Sequence, residues 1–161
     1  MNIRKALFSG VLEWVSLLAY AALIVLTVIQ VLSRYVLKMP VTFTEEMGRF
    51  LFIWVSFLGA ALVMKNDSHM RLDILKDKLS TRVTTALELF VYTAILIFSV
   101  VVFSESFRLI KATTRQIAPV SRLPMAVVYL VLPISTFFMS LYSVRYMYLA
   151  IKNIARDRND K

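Results

Sequence analysis

Four uncharged, mostly apolar runs divide the chain: residues 14–33, 50–64, 89–104 and 123–144, of 20, 15, 16 and 22 residues. A bilayer core of about 30 Å takes roughly 20 residues of helix. The first and fourth runs span it alone. The second and third reach that length once their flanking turns join them and place charged ends at the headgroups. For the second, Thr42-Phe43-Thr44-Glu45 has the spacing of a capping box just after Pro40, which predicts a helix from Phe43 to Met64. The pattern predicts an all-α membrane protein. It forms one four-helix transmembrane domain over 1–161, with spans at about 12–34, 43–64, 84–107 and 123–146. Pro133 should kink the fourth near its middle.

Two shorter patterns modify this picture. Arg4 and Lys5 precede an apolar stretch, and Ala19-Tyr20-Ala21 resembles a signal-peptide cleavage site. The apolar run continues to Ser33, well past a signal core of about 7–15 residues, so it reads as a retained membrane anchor. In the connection after the second span, Leu72, Leu75 and Leu79 recur at helical spacing beside Met70 and Ile74, while Arg71, Lys76 and Lys78 point elsewhere. This fits a short amphipathic helix on the membrane surface, and equally a plain turn leading into the third span.

Composition agrees: the 161 residues are 59% hydrophobic and 18% charged, with mean hydropathy +0.71. These values exclude a disordered chain, and the absence of cysteine excludes a disulfide scaffold and thiolate chemistry. The net charge of +9 would suggest nucleic acid in a soluble protein. Here the 19 Lys and Arg residues divide twelve to seven, with the larger share on the N-terminus, the second loop and the tail. The positive-inside rule therefore places both termini in the cytoplasm, with phospholipids rather than nucleic acid as surroundings. Loop three, with Arg108, Lys111, Arg115 and Arg122 against Glu105, is unusually basic for an outer loop.

Little in the sequence supports chemistry. The span centres lack Asp, Glu, Lys, Arg and His, the groups that line ion and substrate pathways in lipid. Glu13 invites comparison with small proton-coupled antiporters that work as homodimers through a first-helix glutamate. Its place one turn from the cytoplasmic end reads better as a snorkelling or helix-start carboxylate. The only histidine, His69, has Asp67 and Asp73 nearby, too few ligands for a zinc site, and reads as a capping group at the cytoplasmic interface together with Asp73. Nothing suggests an enzyme, a metal or a cofactor. Glu45, Glu46 and Arg49 have the spacing for one arginine to serve either carboxylate, or for the cluster to reach another subunit. Ser56 and Ala60, with Gly59 beside them, and Thr136, Ser140 and Ser143 form small-residue faces that allow close helix approach. By default these faces assemble a four-helix bundle. Phe52, Phe57, Phe98, Phe103, Phe137 and Phe138 are left toward lipid or a larger protein.

The stretch Phe43-Thr44-Glu45-Glu46-Met47-Gly48-Arg49-Phe50-Leu51-Phe52-Ile53-Trp54 is followed by Phe57-Leu58-Gly59-Ala60-Ala61 and by His69-Met70-Arg71-Leu72-Asp73. Together they resemble the signature of the small membrane subunit of tripartite ATP-independent periplasmic (TRAP) transporters, the DctQ-like family. Leu123-Pro124-Met125, Tyr129 and Pro133-Ile134 resemble its fourth-span pattern, while Gly48 stands where a bulkier residue is common. The resemblance implies a multi-pass protein of the bacterial inner membrane and a non-catalytic scaffold subunit of a sodium-coupled importer. It implies two partners: a large multi-span subunit that holds substrate and sodium, and a periplasmic binding protein delivering an organic acid anion such as sialic acid or a C4-dicarboxylate. Glu45, Glu46, Arg49, Phe52, Trp54, Ser56 and Gly59 would then face the large subunit. Arg108, Lys111, Arg115 and Arg122 would form a docking surface for the binding protein, or simply meet lipid phosphates.

Overall fold

The computed structural model describes residues 3–39, 41–66 and 81–159. Over these the chain is helical: α1 (Ile3–Tyr35), α2 (Thr42–Asn66), α3 (Thr81–Thr113), α4 (Met125–Tyr129) and α5 (Val131–Asn159). Four stretches are long and apolar enough to cross a membrane: Gly10–Tyr35, Thr42–Lys65, Val83–Thr113 and Met125–Lys152. The surface helix expected around residues 70–79, and His69 and Asp73, lie outside the described residues.

Each helix end has a local cause. α1 stops where Lys38 takes a left-handed backbone conformation (φ 54°) and the Met39 amide donates back to the Ser33 carbonyl at 3.1 Å. α2 starts without the expected capping box. The Thr44 hydroxyl and amide both bond the Val41 carbonyl (2.8 and 3.1 Å), and the Glu45 side chain is drawn away to another helix. α3 runs about one and a half turns past the expected Phe107, to Thr113, and Glu105 and Arg108 pair along the surface of this extension at 3.0 Å. The fourth span is interrupted at Leu130, between α4 and α5, rather than kinked at its middle. Pro133 supplies no amide for the Tyr129 carbonyl and its ring crowds that turn, so the discontinuity falls one turn before the proline.

The helices form an open row, not the closed bundle that the small-residue faces suggested. Among the described residues α1 packs only on α2, α2 packs next on α5, and α5 packs most extensively on α3. Leu12, Leu58, Ala61, Val131 and Met139 form the apolar core, with Trp54, Phe57 and Phe138 against it. Phe57 and Phe138 therefore face inward, while Phe52, Phe98 and Phe137 stay exposed. The α3–α5 seam is polar and small. Ser99, Ser106, Ser135, Thr136 and Ser143 are all buried, and most satisfy their hydroxyls on their own helix. Ser143 instead crosses the seam to the Tyr92 carbonyl at 2.6 Å. In lipid no hydrophobic force drives helices together, so small side chains that allow close backbone approach carry this contact. Tyr146 links the row laterally, donating from α5 to the Lys65 carbonyl at the end of α2 (2.6 Å) while its ring rests on Tyr92.

Candidate subunit-interface site

The first turns of α2 gather the charged residues singled out by the sequence, and adjacent positions there point about 100° apart. Glu45 faces α1 and accepts from the Arg34 guanidinium at 2.6 Å. Glu46 faces the other way and is buried, only 3% exposed. One of its oxygens accepts from the Val120 and Ser121 amides (2.9 and 3.0 Å), and the other accepts from the Ser121 hydroxyl (3.2 Å). The expectation that Arg49 serves either carboxylate fails. Its Nε donates to the Glu45 backbone carbonyl at 3.4 Å, and both carboxylates have nearer partners on other elements.

Arg49 therefore lies exposed beside an open groove of about 570 Å³ between α1 and α2, lined also by Thr27, Gln30 and Phe52. Gly48 keeps this groove wide. A Cβ there would meet only the Gln30 Oε1, at 4.0 Å, an ordinary van der Waals contact. Phe52, Ser56 and Gly59 continue the strip along α2 at helical spacing; Phe52 and Ser56 are exposed and Gly59 is half-buried. Ser56 thus does not pack within the row, where Leu58 and Ala61 occupy the inner face. Trp54 lies on the other side of α2 in an apolar crevice of about 420 Å³, formed with Leu12 and Val15 of α1, Leu58, and Ile134 and Phe138 of α5.

Loop three is a knitted structure. Ile117 and Pro124 form an antiparallel bridge, with the Ala118 amide on the Leu123 carbonyl and the Met125 amide on the Gln116 carbonyl, both at 2.9 Å. Arg122 takes the left-handed conformation (φ 55°) that turns the chain, and its amide reaches the Ala118 carbonyl at 3.1 Å. Of the four candidate docking cations, Arg108 and Lys111 stand on the last turns of α3, and Arg115 and Arg122 stand in the loop; all four are exposed.

At the opposite end, Glu13 pairs with Lys65 of α2. α1 begins at Ile3, so Glu13 is not a helix-start carboxylate; it joins α1 to α2. Arg34, Lys65 and Ser121 were not foreseeable as partners, because each reaches its carboxylate from a different element of the fold. Among the described residues no group of three or more metal-ligating side chains comes together.

Four spans with uncharged centres, laid in a row and tied at their ends, define a multi-pass membrane protein without a charged pathway of its own. Residues 23–153 match the family model for tripartite ATP-independent periplasmic transporters, DctQ component, and the chain belongs to that family. It is a small transporter component of the bacterial inner membrane. It is 40% identical over 94 residues to the isethionate TRAP transporter permease protein DctMQ of Oleidesulfovibrio alaskensis, covering 57% of this chain and 15% of that one. It is 25% identical over 130 residues to the ectoine TRAP transporter small permease protein TeaB of Halomonas elongata, covering 80% and 66%. With the sialic acid TRAP transporter small permease protein SiaQ of Vibrio cholerae it shares 26% over 97 residues, covering 60% and 56%. The chain thus spans less than two thirds of each of these relatives. Membership in this family, with Glu13 held in an ion pair, gives the antiporter reading no support.

Proposed function

We propose that this chain is the non-catalytic scaffold subunit of a sodium-coupled TRAP importer. Its substrate would be an organic acid anion, sialic acid first among the candidates, as the name of the Vibrio cholerae relative suggests. The relatives are named for isethionate, ectoine and sialic acid, which fits a substrate recognised elsewhere than on this subunit. Sodium and substrate belong to a large multi-span partner, and a periplasmic binding protein delivers the substrate. Both termini lie in the cytoplasm, so loops one and three face the periplasm.

The observation that carries the reading is the open row, whose apolar faces are not covered by any of the described residues. Matching 15% of the longer relative, named a permease protein with the combined designation DctMQ, fits a covalently joined version of the same pairing. On this reading Arg49, Phe52, Ser56 and Gly59 contact the large subunit along one strip, while Trp54 lines the apolar crevice on the other side of α2. Arg108, Lys111, Arg115 and Arg122 meet an acidic face of the binding protein.

The test is reconstitution. The chain should co-purify with a much larger membrane partner, and uptake into liposomes should need both chains together with the binding protein. Uptake by the isolated chain would overturn the reading.

A further inference from the structure

The structure assigns Glu46 a positioning role: its buried carboxylate clamps loop three onto α2 and so presents that loop as a rigid docking surface for an acidic soluble protein. This rests on the docking reading above and adds what holds the surface in shape.

The geometry is one-sided. Glu46 is on the second turn of α2, yet all three of its partners lie in loop three, 74 and 75 residues later. One carboxylate oxygen takes two consecutive backbone amides, so the clamp fixes the direction of the chain at Val120–Ser121 and not merely one side chain. Charged acceptors make the stronger class of hydrogen bond. Burial excludes the water that would otherwise compete for those amides. Ala118, in the same loop, is buried as well.

Held this way, the loop turns outward Ile117, Val120 and Leu123, all exposed, together with Arg115 and Arg122. Residues 114–124 contain no acidic side chain, so the exposed apolar groups are accompanied by cations alone. Cations mixed with exposed apolar groups complement a partner with acidic residues around an apolar centre. A surface already ordered before encounter spares the cost of ordering it on binding.

The chain has no cysteine, so a single introduced thiol reports on the loop. Ala118→Cys places it at a buried position, where it should resist a membrane-impermeant maleimide. In proteoliposomes carrying this subunit and its large partner, Glu46→Ala should open that thiol to labelling. It should also raise the half-saturating concentration of the transporter's own binding protein about tenfold, with the maximal rate unchanged. Glu46→Gln, whose amide oxygen still accepts from both backbone amides, should restore most of both. Glu46→Asp keeps the charge but falls short by one methylene; it should behave as Ala does and serves if the Ala variant does not reach the membrane.

A thiol that stays protected in Glu46→Ala or Glu46→Asp overturns the clamp. Suppose the thiol opens while the half-saturating concentration stays fixed, and Arg115→Glu with Arg122→Glu raises it. Then docking at loop three stands and the positioning role falls. If that double reversal also changes nothing, the docking reading itself fails.

Discussion

Ser143→Leu should loosen the α3–α5 seam severely. Ser143 is fully enclosed on α5, and its hydroxyl donates to the Tyr92 carbonyl of α3 at 2.6 Å. Ser143 is 0% exposed and within hydrogen-bond reach of the α3 backbone, so the larger side chain of leucine has to push against α3. Overpacking of this kind costs about 1–3 kcal/mol. A lost interhelical hydrogen bond in lipid adds about 0.6 kcal/mol. Together, about 1.5–3.5 kcal/mol multiplies the population of separated helices by about ten to several hundred. Ser143→Ala, which loses only the bond, should cost about 0.6 kcal/mol. Ser104→Leu lies on an exposed face of α3, where the hydroxyl bonds only its own helix, and should cost a few tenths of a kcal/mol at most. Thermal unfolding of the three variants in nanodiscs, followed by size-exclusion chromatography, gives the order directly. If Ser143→Leu proved as harmless as Ser104→Leu, the seam would not be the close-packed contact described here.

The ion pair of Glu13 and Lys65 predicts that Glu13→Lys lowers stability by about 0.5–1 kcal/mol and that adding Lys65→Glu recovers it; a double-mutant cycle without coupling would dissolve the pair. Arg49→Ala should reduce co-purification with the large subunit more than Lys152→Ala does, both being exposed, and equal losses would leave Arg49 a surface cation. Gly48→Ala should raise the melting temperature of the isolated chain, since glycine within a helix costs about 0.5–1 kcal/mol and the added Cβ meets only Gln30 Oε1 at 4.0 Å. A fall would mean that the groove is closed in the membrane.

The number of spans was legible because lipid imposes it: uncharged runs near 20 residues leave few other structures open to the chain. Their neighbours in the row were not legible. In lipid an apolar face says nothing about whether it meets a helix, a partner or acyl chains, so Ser56 and Ser143 look alike in sequence while one is exposed and the other enclosed. Around Glu45, Glu46 and Arg49 the expected arginine–carboxylate pairing was wrong. Local spacing made Arg49 the natural partner, whereas Arg34 arrives from another helix and the amides of Val120 and Ser121 are backbone groups that no residue type announces. Glu13 was misplaced for a related reason. α1 starts well before its apolar run, which moved a supposed helix-end carboxylate three turns inside.

The two ion pairs between α1 and α2 can be read together. Glu13 and Arg34 on α1 are 21 residues apart and their partners Lys65 and Glu45 on α2 are 20 apart. At 1.5 Å per residue these separations are about 31 and 30 Å. That matches the thickness of the hydrocarbon core, about 30 Å. Among the described residues the backbone of α1 packs closely on α2 only, so this contact carries most of its positioning within the chain. Apolar packing between the pairs contributes little discrimination in lipid, because lipid tails offer the same surroundings. Ion pairs at the two headgroup boundaries supply what packing lacks. A slide of α1 by one turn would carry one of its two charges, Glu13 or Arg34, toward the hydrocarbon and the other out into water, and would separate both pairs at once. The pairs therefore set the register of α1 on α2 and, by their spacing, the depth of both helices. The groove at Arg49 and the clamp at Glu46 then fall at the same boundary as Arg34 and Glu45, where a large membrane partner and a soluble one could both reach α2.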